Sequence, residues 1–306
     1  MGHVYTRCNL VTSIGMMKQR HRGSTNLVMR TLLAAALACT VGTAFADDSQ
    51  PAVDRLYILD CGQALVDDIS TWSPGVNEGK ARTFSNHCYL IKHGAEWMLW
   101  DTGVPDAWAD SPEGVVGSPG VRGVVSKTLT SQLTQLGLAP EDIDFLAFSH
   151  GHFDHVGNAN LFTKATWLVQ EIEYDAMLGP QAEDFRFQPK HYAGLANNPV
   201  RKLDGDHDVF GDGAVQIIST PGHSPGHQSL LVRLTNYGNV ILSGDVAHFG
   251  DNLQSRRVPV FNTDEDASRR SMDRIEALAE AEDARLWINH DLTQSDALVK
   301  APRWFD

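Results

Sequence analysis

The stretch His150-Gly151-His152-Phe153-Asp154-His155 decides how this chain is read. It follows the apolar run Ile143-Asp144-Phe145-Leu146-Ala147-Phe148, which reads as a strand, so its four ligand-type side chains begin where strand gives way to loop. On an extended segment His150 and His152, two apart, point the same way. Asp154 and His155 follow after one residue, where a turn presents them to a neighbouring position. A lone histidine is usually a surface or satisfied core residue, but four such residues in six seldom arise by chance.

Three later segments repeat the arrangement. Ser219-Thr220-Pro221-Gly222-His223 follows a predicted strand at 214–218, Ser243-Gly244-Asp245 follows one at 240–242, and Asn289-His290-Asp291 follows one at 285–288. Strands that each end in His or Asp assemble a site along one rim of a sheet. Upstream, Arg55-Leu56-Tyr57-Ile58-Leu59, Cys88-Tyr89-Leu90-Ile91 and Trp97-Met98-Leu99-Trp100 also read as strands, with a turn at His93-Gly94. Residues 104–123, rich in Gly, Pro and Ser, read as a long loop bordering a site. Leu129, Leu133 and Leu136 have helical spacing closed by Gly137. Further strands are expected at 166–169 and 229–234, with an amphipathic helix over 264–281. Strands in groups, with helices between and after them, fit two stacked sheets flanked by helices, an α+β arrangement, better than alternating parallel α/β.

The first fifty residues differ in kind. Arg20, Arg22 and Arg30 precede the apolar run Leu32-Leu33-Ala34-Ala35-Ala36-Leu37-Ala38, and small residues end in Ala44-Phe45-Ala46. A basic stretch, a short apolar stretch and an A-x-A site describe a secretory signal peptide over 1–46. The apolar run is too short for a comfortable membrane span. The long basic lead allows translation to begin at Met16, Met17 or Met29, and Cys39 is a poor lipoprotein-like match that leaves a lipid anchor as an alternative. The expectation is a single domain over 47–306, located in the periplasm or outside the cell. Five of the 25 basic residues and none of the 38 acidic ones lie in 1–46. The remainder carries 20 basic against 38 acidic residues, a formal charge of −18, which repels phosphate backbones and argues against nucleic acid as a partner. Cys61 and Cys88 remain after export; a disulfide is permitted, and two buried thiols are the plainer alternative.

The series H-x-H-x-D-H followed by His223, Asp245 and His290 resembles the metallo-β-lactamase superfamily. Within it, Thr220-Pro221-Gly222-His223-Ser224-Pro225-Gly226-His227-Gln228-Ser229 is most similar to the N-acyl-homoserine lactonases. The likeness runs from about Leu56 to Asp291 and takes in Asp101-Thr102-Gly103 and Arg257-Val258-Pro259. It implies a four-layer αββα sandwich with two metal ions. His150, His152 and His223 would hold the first, Asp154, His155 and His290 the second, and Asp245 would bridge them. These donors suit zinc, and iron, manganese or cobalt fit the same set. The implied reaction is attack of a metal-bridging hydroxide on the lactone carbonyl, with Asp154 passing a proton to the leaving alkoxide. Known lactonases carry a tyrosine three residues after the bridging aspartate, where this chain has His248. A neutral imidazole there can donate to an oxyanion, or it turns to solvent or stacks on the loop. His227 reads as a residue supporting the ligands, and Trp72, Trp108, Phe153 and Phe249 as walls for an acyl chain. His87, His93, His191 and His207 read as surface or structural.

The resemblance therefore implies an enzyme that opens the ring of acylated signalling lactones, a quorum-quenching hydrolase. Its partner is a small lactone, with no stable membrane insertion, and a homodimer is left open. Alternatives within the superfamily are a general lactonase or esterase, a β-lactamase, whose usual members lack the bridging aspartate, and a glyoxalase II-like thioesterase. The last usually adds a C-terminal helical domain, whereas sixteen residues follow His290. A non-catalytic metal-binding protein is the alternative of a different class; turnover that stops with a chelator separates the two.

Overall fold

The computed structural model describes residues 51–306; the expected signal peptide, its alternative starts and Cys39 lie outside the described residues. Eight strands make the larger sheet: β1 (Arg55–Val66), β2 (Arg82–His93), β3 (Glu96–Trp100), β4 (Val115–Ser118), β5 (Val121–Val124), β6 (Phe145–Ala147), β7 (Thr166–Gln170) and β8 (Val200–Leu203), in the spatial order β4-β5-β1-β2-β3-β6-β7-β8. The smaller sheet holds β9 (His207–Asp208), β10 (Val215–Ser219), β11 (Gln228–Val232), β12 (Val240–Leu242) and β13 (Arg285–Trp287), in the order β13-β12-β11-β10-β9. Helices α1 (Leu129–Gln135), α2 (Phe153–Val156), α3 (Glu171–Leu178), α4 (Gly250–Ser255), α5 (Glu265–Ala281) and α6 (Leu292–Ala297) lie between and after them.

The unbroken apolar run Leu56-Tyr57-Ile58-Leu59 has a direct cause: both faces of the sheet are covered. Leu56 and Ile58 turn inward with Tyr89 and Ile91 to meet Ile217, Leu230, Val232 and Leu242 of the smaller sheet. Tyr57, Leu59, Cys88 and Leu90 turn the other way, onto Leu129 and Leu133 of α1 and Met177 of α3. On the far side of the smaller sheet Ile218, Leu231 and Ile241 pack against Leu278 and Ala279 of α5. Helix, sheet, sheet and helix thus form the αββα sandwich.

Helix α5 starts where Asp264 caps it, its carboxylate accepting from the Ala267 amide at 2.8 Å. Met272 and Ile275 face Val246, Ala247 and Val258, so the helix also clamps the loop that follows β12. Cys61 and Cys88, neighbours on β1 and β2, are joined as a disulfide with Cα atoms 5.7 Å apart. The structure corrects the expected loop at 104–123. Val115 and Val116 pair with Gly123 and Arg122 in a hairpin, β4–β5, closed by Pro119-Gly120 with Gly120 at φ +73°. Val115, Val116, Val121 and Val124, on either side of a Pro-Gly turn, carry that hairpin, and the Gly and Ser among them mask it in the sequence. Among the described residues no helix is long and apolar enough to cross a membrane.

Candidate metal centre

Strands β10 and β12 both run antiparallel to β11, and β13 runs parallel to β12, so these three end on the same side of their sheet. His223, Asp245 and His290 follow them directly. In the larger sheet β3 and β6 are parallel. Asp101 follows β3, and His150 and His152 follow β6. Asp154 and His155 lie in the single turn of α2, for which His152 is the N-cap residue. Gly222, at φ +134°, lets its turn pass against α5; a Cβ there would lie 2.3 Å from the Ser268 nitrogen.

The structure brings all seven sequence-predicted ligands together. Nε2 of His150, Nδ1 of His152 and Nε2 of His223 lie 2.7–3.2 Å from one another. Asp245 Oδ2 is 3.7 Å from His150 and 3.4 Å from His223. On the other side, Asp245 Oδ1 is 3.4 Å from His155 Nε2 and 3.1 Å from His290 Nε2. Asp154 Oδ2 stands 4.0 Å from His155 and 3.8 Å from His290. Tetrahedral zinc with metal–nitrogen bonds of about 2.0–2.1 Å separates its donors by about 3.3 Å, close to these spacings.

The remaining ring nitrogens explain why those facing inward are bare. His155 Nδ1 is 2.9 Å from Asp101 Oδ2, His290 Nδ1 is 2.9 Å from the Ser85 carbonyl, and His223 Nδ1 is 2.9 Å from Asn262 Oδ1. His152 turns its Nε2 to the Phe185 carbonyl at 3.1 Å, and His150 Nδ1 lies 3.1 Å from Ser149 Oγ. Each outer N–H donates to an oxygen, which fixes the tautomer and leaves the inner lone pair free. His155 Nε2 and Asp245 Oδ1 are buried with no hydrogen-bond partner. Buried polar atoms without partners cost free energy, and two such atoms facing one point fit a bound cation.

Charge follows from burial. Burial first, then the neighbouring imidazoles His155 and His152, holds His150 neutral, well below the usual histidine range. Burial likewise pulls His152 down to about 4, against the attraction of Asp154 and Asp245. For His155 burial opposes charge but Asp245, Asp101 and Asp154 outweigh it and raise its pKa, so the same carboxylates that draw a proton to its Nε2 would draw a cation there in the proton's place. Burial alone would raise Asp245; His290, His248, His155 and His150 around it hold it well below the carboxylate range.

His248 is not turned to solvent. It is 2% exposed, with Nε2 3.1 Å from Asp245 Oδ2 and its ring stacked on His290 at 5.4 Å. Asp245, His248 and His290 also form a cluster close enough to hold an ion. His227 supports the site through the backbone: its Nε2 accepts from the Asp245 amide at 2.8 Å while Nδ1 lies 3.0 Å from the Thr220 carbonyl.

Over the centre lies a chamber walled by Trp72, Phe84, Val121, Phe153 and Phe261. Two residues expected there are elsewhere. Trp108 stands behind Phe153, ring centroids 5.5 Å apart, and Phe249 is buried between Phe84 and the Arg82 guanidinium. Both support the wall without lining it. Sequence reasoning also missed Asp101, Asn86 and Glu173. Asp101 stands at a strand end like the ligands themselves, a signal that was present. Asn86 Nδ2 donates to the Asp154 carbonyl and, at 3.3 Å, to its Oδ2. Glu173 ties down the amides of Gly151 and Gly226 from inside α3, where nothing local marks it.

The model of the metallo-beta-lactamase superfamily matches residues 81–282 of the chain. The N-acyl homoserine lactonase AiiA of Bacillus thuringiensis subsp. kurstaki is 29% identical over 258 residues, 82% of this chain and 99% of that protein. The N-acyl homoserine lactonase AttM of Agrobacterium fabrum is 30% identical over 276 residues, 82% of this chain and 98% of the relative. A solved N-acyl homoserine lactone hydrolase with N-hexanoyl-L-homoserine bound at its catalytic metal center superposes with a TM-score of 0.72 at 26% identity, covering 83% of this chain and 100% of that one.

Proposed function

Because the chain belongs to the metallo-β-lactamase superfamily and, within it, to the N-acyl homoserine lactonases, we propose that it opens the lactone ring of N-acyl-homoserine lactones with the help of two divalent cations, both of which Asp245 would help to hold. Membership makes it a metal-dependent hydrolase of ester bonds. The observation that carries the finer reading is the Asp245 carboxylate, whose two oxygens face two separate groups of bare histidine nitrogens. His150, His152 and His223 would hold one cation, and Asp154, His155 and His290 the other. Zinc suits these donors, and a dizinc quorum-quenching lactonase shares the fold.

Bound there, the cations supply an acidified water and an electrophilic hold on the carbonyl, in place of a serine or cysteine nucleophile. The protein does the rest. His248, kept neutral because burial outweighs the pull of Asp245, turns its Nε2 to Asp245 Oδ2 at 3.1 Å, and that N–H would pass to the oxyanion once bound cations engage the carboxylate. Asp154, 13% exposed at its side chain, would take up the proton that the attacking water gives up and return it to the leaving alkoxide. The aromatic walls hold apolar substrate and exclude bulk water. We further propose that residues 1–46 are a cleaved signal peptide. The Cys61–Cys88 disulfide supports this, since such bonds persist in oxidising compartments.

A proton-release assay on short- and long-chain acyl-homoserine lactones, a simple lactone, a cephalosporin and a thioester tests the activity. The acyl-homoserine lactones are opened, a chelator stops the reaction and zinc restores it. Cleavage of the cephalosporin or thioester with the lactones untouched sinks the proposal.

A further inference from the structure

The chamber over the metal centre opens into a groove, and Ser118 and Arg186 line both. The groove runs between the β4–β5 turn and the segment after α3, and Gln188 ties the two together by donating to the Gly117 carbonyl at 2.8 Å. Inside the junction the walls are aromatic. Beyond it Glu183, Gln188 and Lys190 stand beside Pro119, Phe187 and Pro189, so the groove offers polar groups as well as apolar wall to a chain that crosses the junction. A lactone ring seated over the metals sends its acyl chain across that junction, past Arg186.

Arg186 is held there against its own backbone preference. Its φ and ψ of 60° and 18° are left-handed, a region that residues with a Cβ seldom occupy. The carbonyl of Phe185, one residue before, accepts from the ligand His152, which fixes the segment to the metal centre. The guanidinium lies 4.2 Å from the centre of the Phe261 ring, within the chamber wall. Arg233, Arg256, Arg269 and Arg274 each pair with a carboxylate. Arg186, like Arg82 over Phe249, has no carboxylate partner among the described residues, and it is exposed, so its charge is available at the junction. A cation that faces both the chamber and the groove is placed to meet a polar group on a bound chain.

We propose that Arg186 is a specificity-determining residue whose guanidinium binds the amide oxygen together with a keto oxygen on the third carbon of the acyl chain, so that 3-keto chains are preferred over unsubstituted chains of the same length. The proposal rests on the lactonase reading above. A β-keto amide sets two carbonyl oxygens side by side, as a carboxylate does, and the guanidinium fork matches that spacing with two N–H donors. A lysine at the same place supplies charge without the fork.

The test compares hexanoyl- and 3-oxohexanoyl-homoserine lactone on the zinc-loaded enzyme. One charge-assisted hydrogen bond corresponds to about tenfold in affinity, so wild type favours the keto substrate by about tenfold in kcat/KM, expressed in KM. Arg186→Gly removes the guanidinium and relieves the left-handed strain, and brings the ratio to about one. Arg186→Lys falls between. A wild-type ratio near one, or a preference that survives in Arg186→Gly, overturns the assignment while the lactonase reading stands. If neither lactone is opened by any of the three proteins, the lactonase reading fails and takes this assignment with it.

Discussion

His155 owes its bare Nε2 to Asp101, and His223 owes its own to Asn262; each ligand depends on the group behind it. His248 differs, because both sides of its ring are committed to the site. Nε2 meets Asp245, and the unpartnered Nδ1 is buried. Loss of one oxyanion donor costs about 100-fold or more in kcat. We expect His248→Phe to lower kcat by about that factor while zinc content, measured by elemental analysis, stays at the wild-type level. His248→Tyr, which restores a hydroxyl donor, recovers part of the loss. A rate unchanged in His248→Phe removes the residue from the mechanism; zinc lost with the rate makes it a ligand instead. The ligand-type residues were legible because their chemistry and spacing are local to a few strand ends. The chamber wall was legible only in part: Trp72 and Phe153 line it as expected, but Phe84, Val121 and Phe261 join them from distant segments, and an aromatic residue bound for a wall looks like one bound for the core. Trp108 and Phe249 show the cost of that ambiguity.

At the scale of elements, α6 is fastened to β2 by a buried pair, Ser295 Oγ with His87 Nε2 at 2.9 Å. Burial, then the nearby charges of Lys300 and His290, lowers the His87 pKa to about 3, against roughly 6.5 in the unfolded chain. The folded state keeps His87 neutral. As pH falls from 6.5 toward 3, the unfolded chain takes up a proton that the folded one refuses, so stability present above 6.5 is lost on acidification. Urea midpoints at pH 7 and pH 5 check this: wild type loses more stability between the two than His87→Gln does. Equal losses in both proteins place the acid sensitivity elsewhere. Strands with strongly apolar runs, such as β1 and β2, were legible because both of their faces are covered. The β4–β5 hairpin was not, since its glycines, serine and proline have the composition of a loop and only the valines betray pairing.

For the molecule as a whole, the disulfide between β1 and β2 closes 27 residues, a loop length for which a native cross-link contributes about 3 kcal/mol. The exported protein should begin near Asp47, carry no free thiol and unfold at higher urea than Cys61→Ala/Cys88→Ala. Peptide sequencing, thiol titration and urea denaturation read the three. Residue 1 still present on protein recovered from the cell envelope sinks the proposal of a cleaved signal. The layered architecture was legible as a class from strands grouped apart from helices; the spatial order of eight strands in one sheet is set by long-range pairing that no local pattern encodes.

The larger sheet is built from residues 55–203 and the smaller from 207–287, and the donors are divided between them. His150, His152, Asp154 and His155 belong to the first stretch, His223, Asp245 and His290 to the second. A half-formed chain with only one sheet in place therefore has an incomplete grip on a cation and competes poorly for it. Metal discriminates the finished assembly from everything before it, and binding that begins only there slows unfolding more than it speeds folding. Cations held by these donors would thus act as a clasp on kinetic lifetime, closing last and opening first.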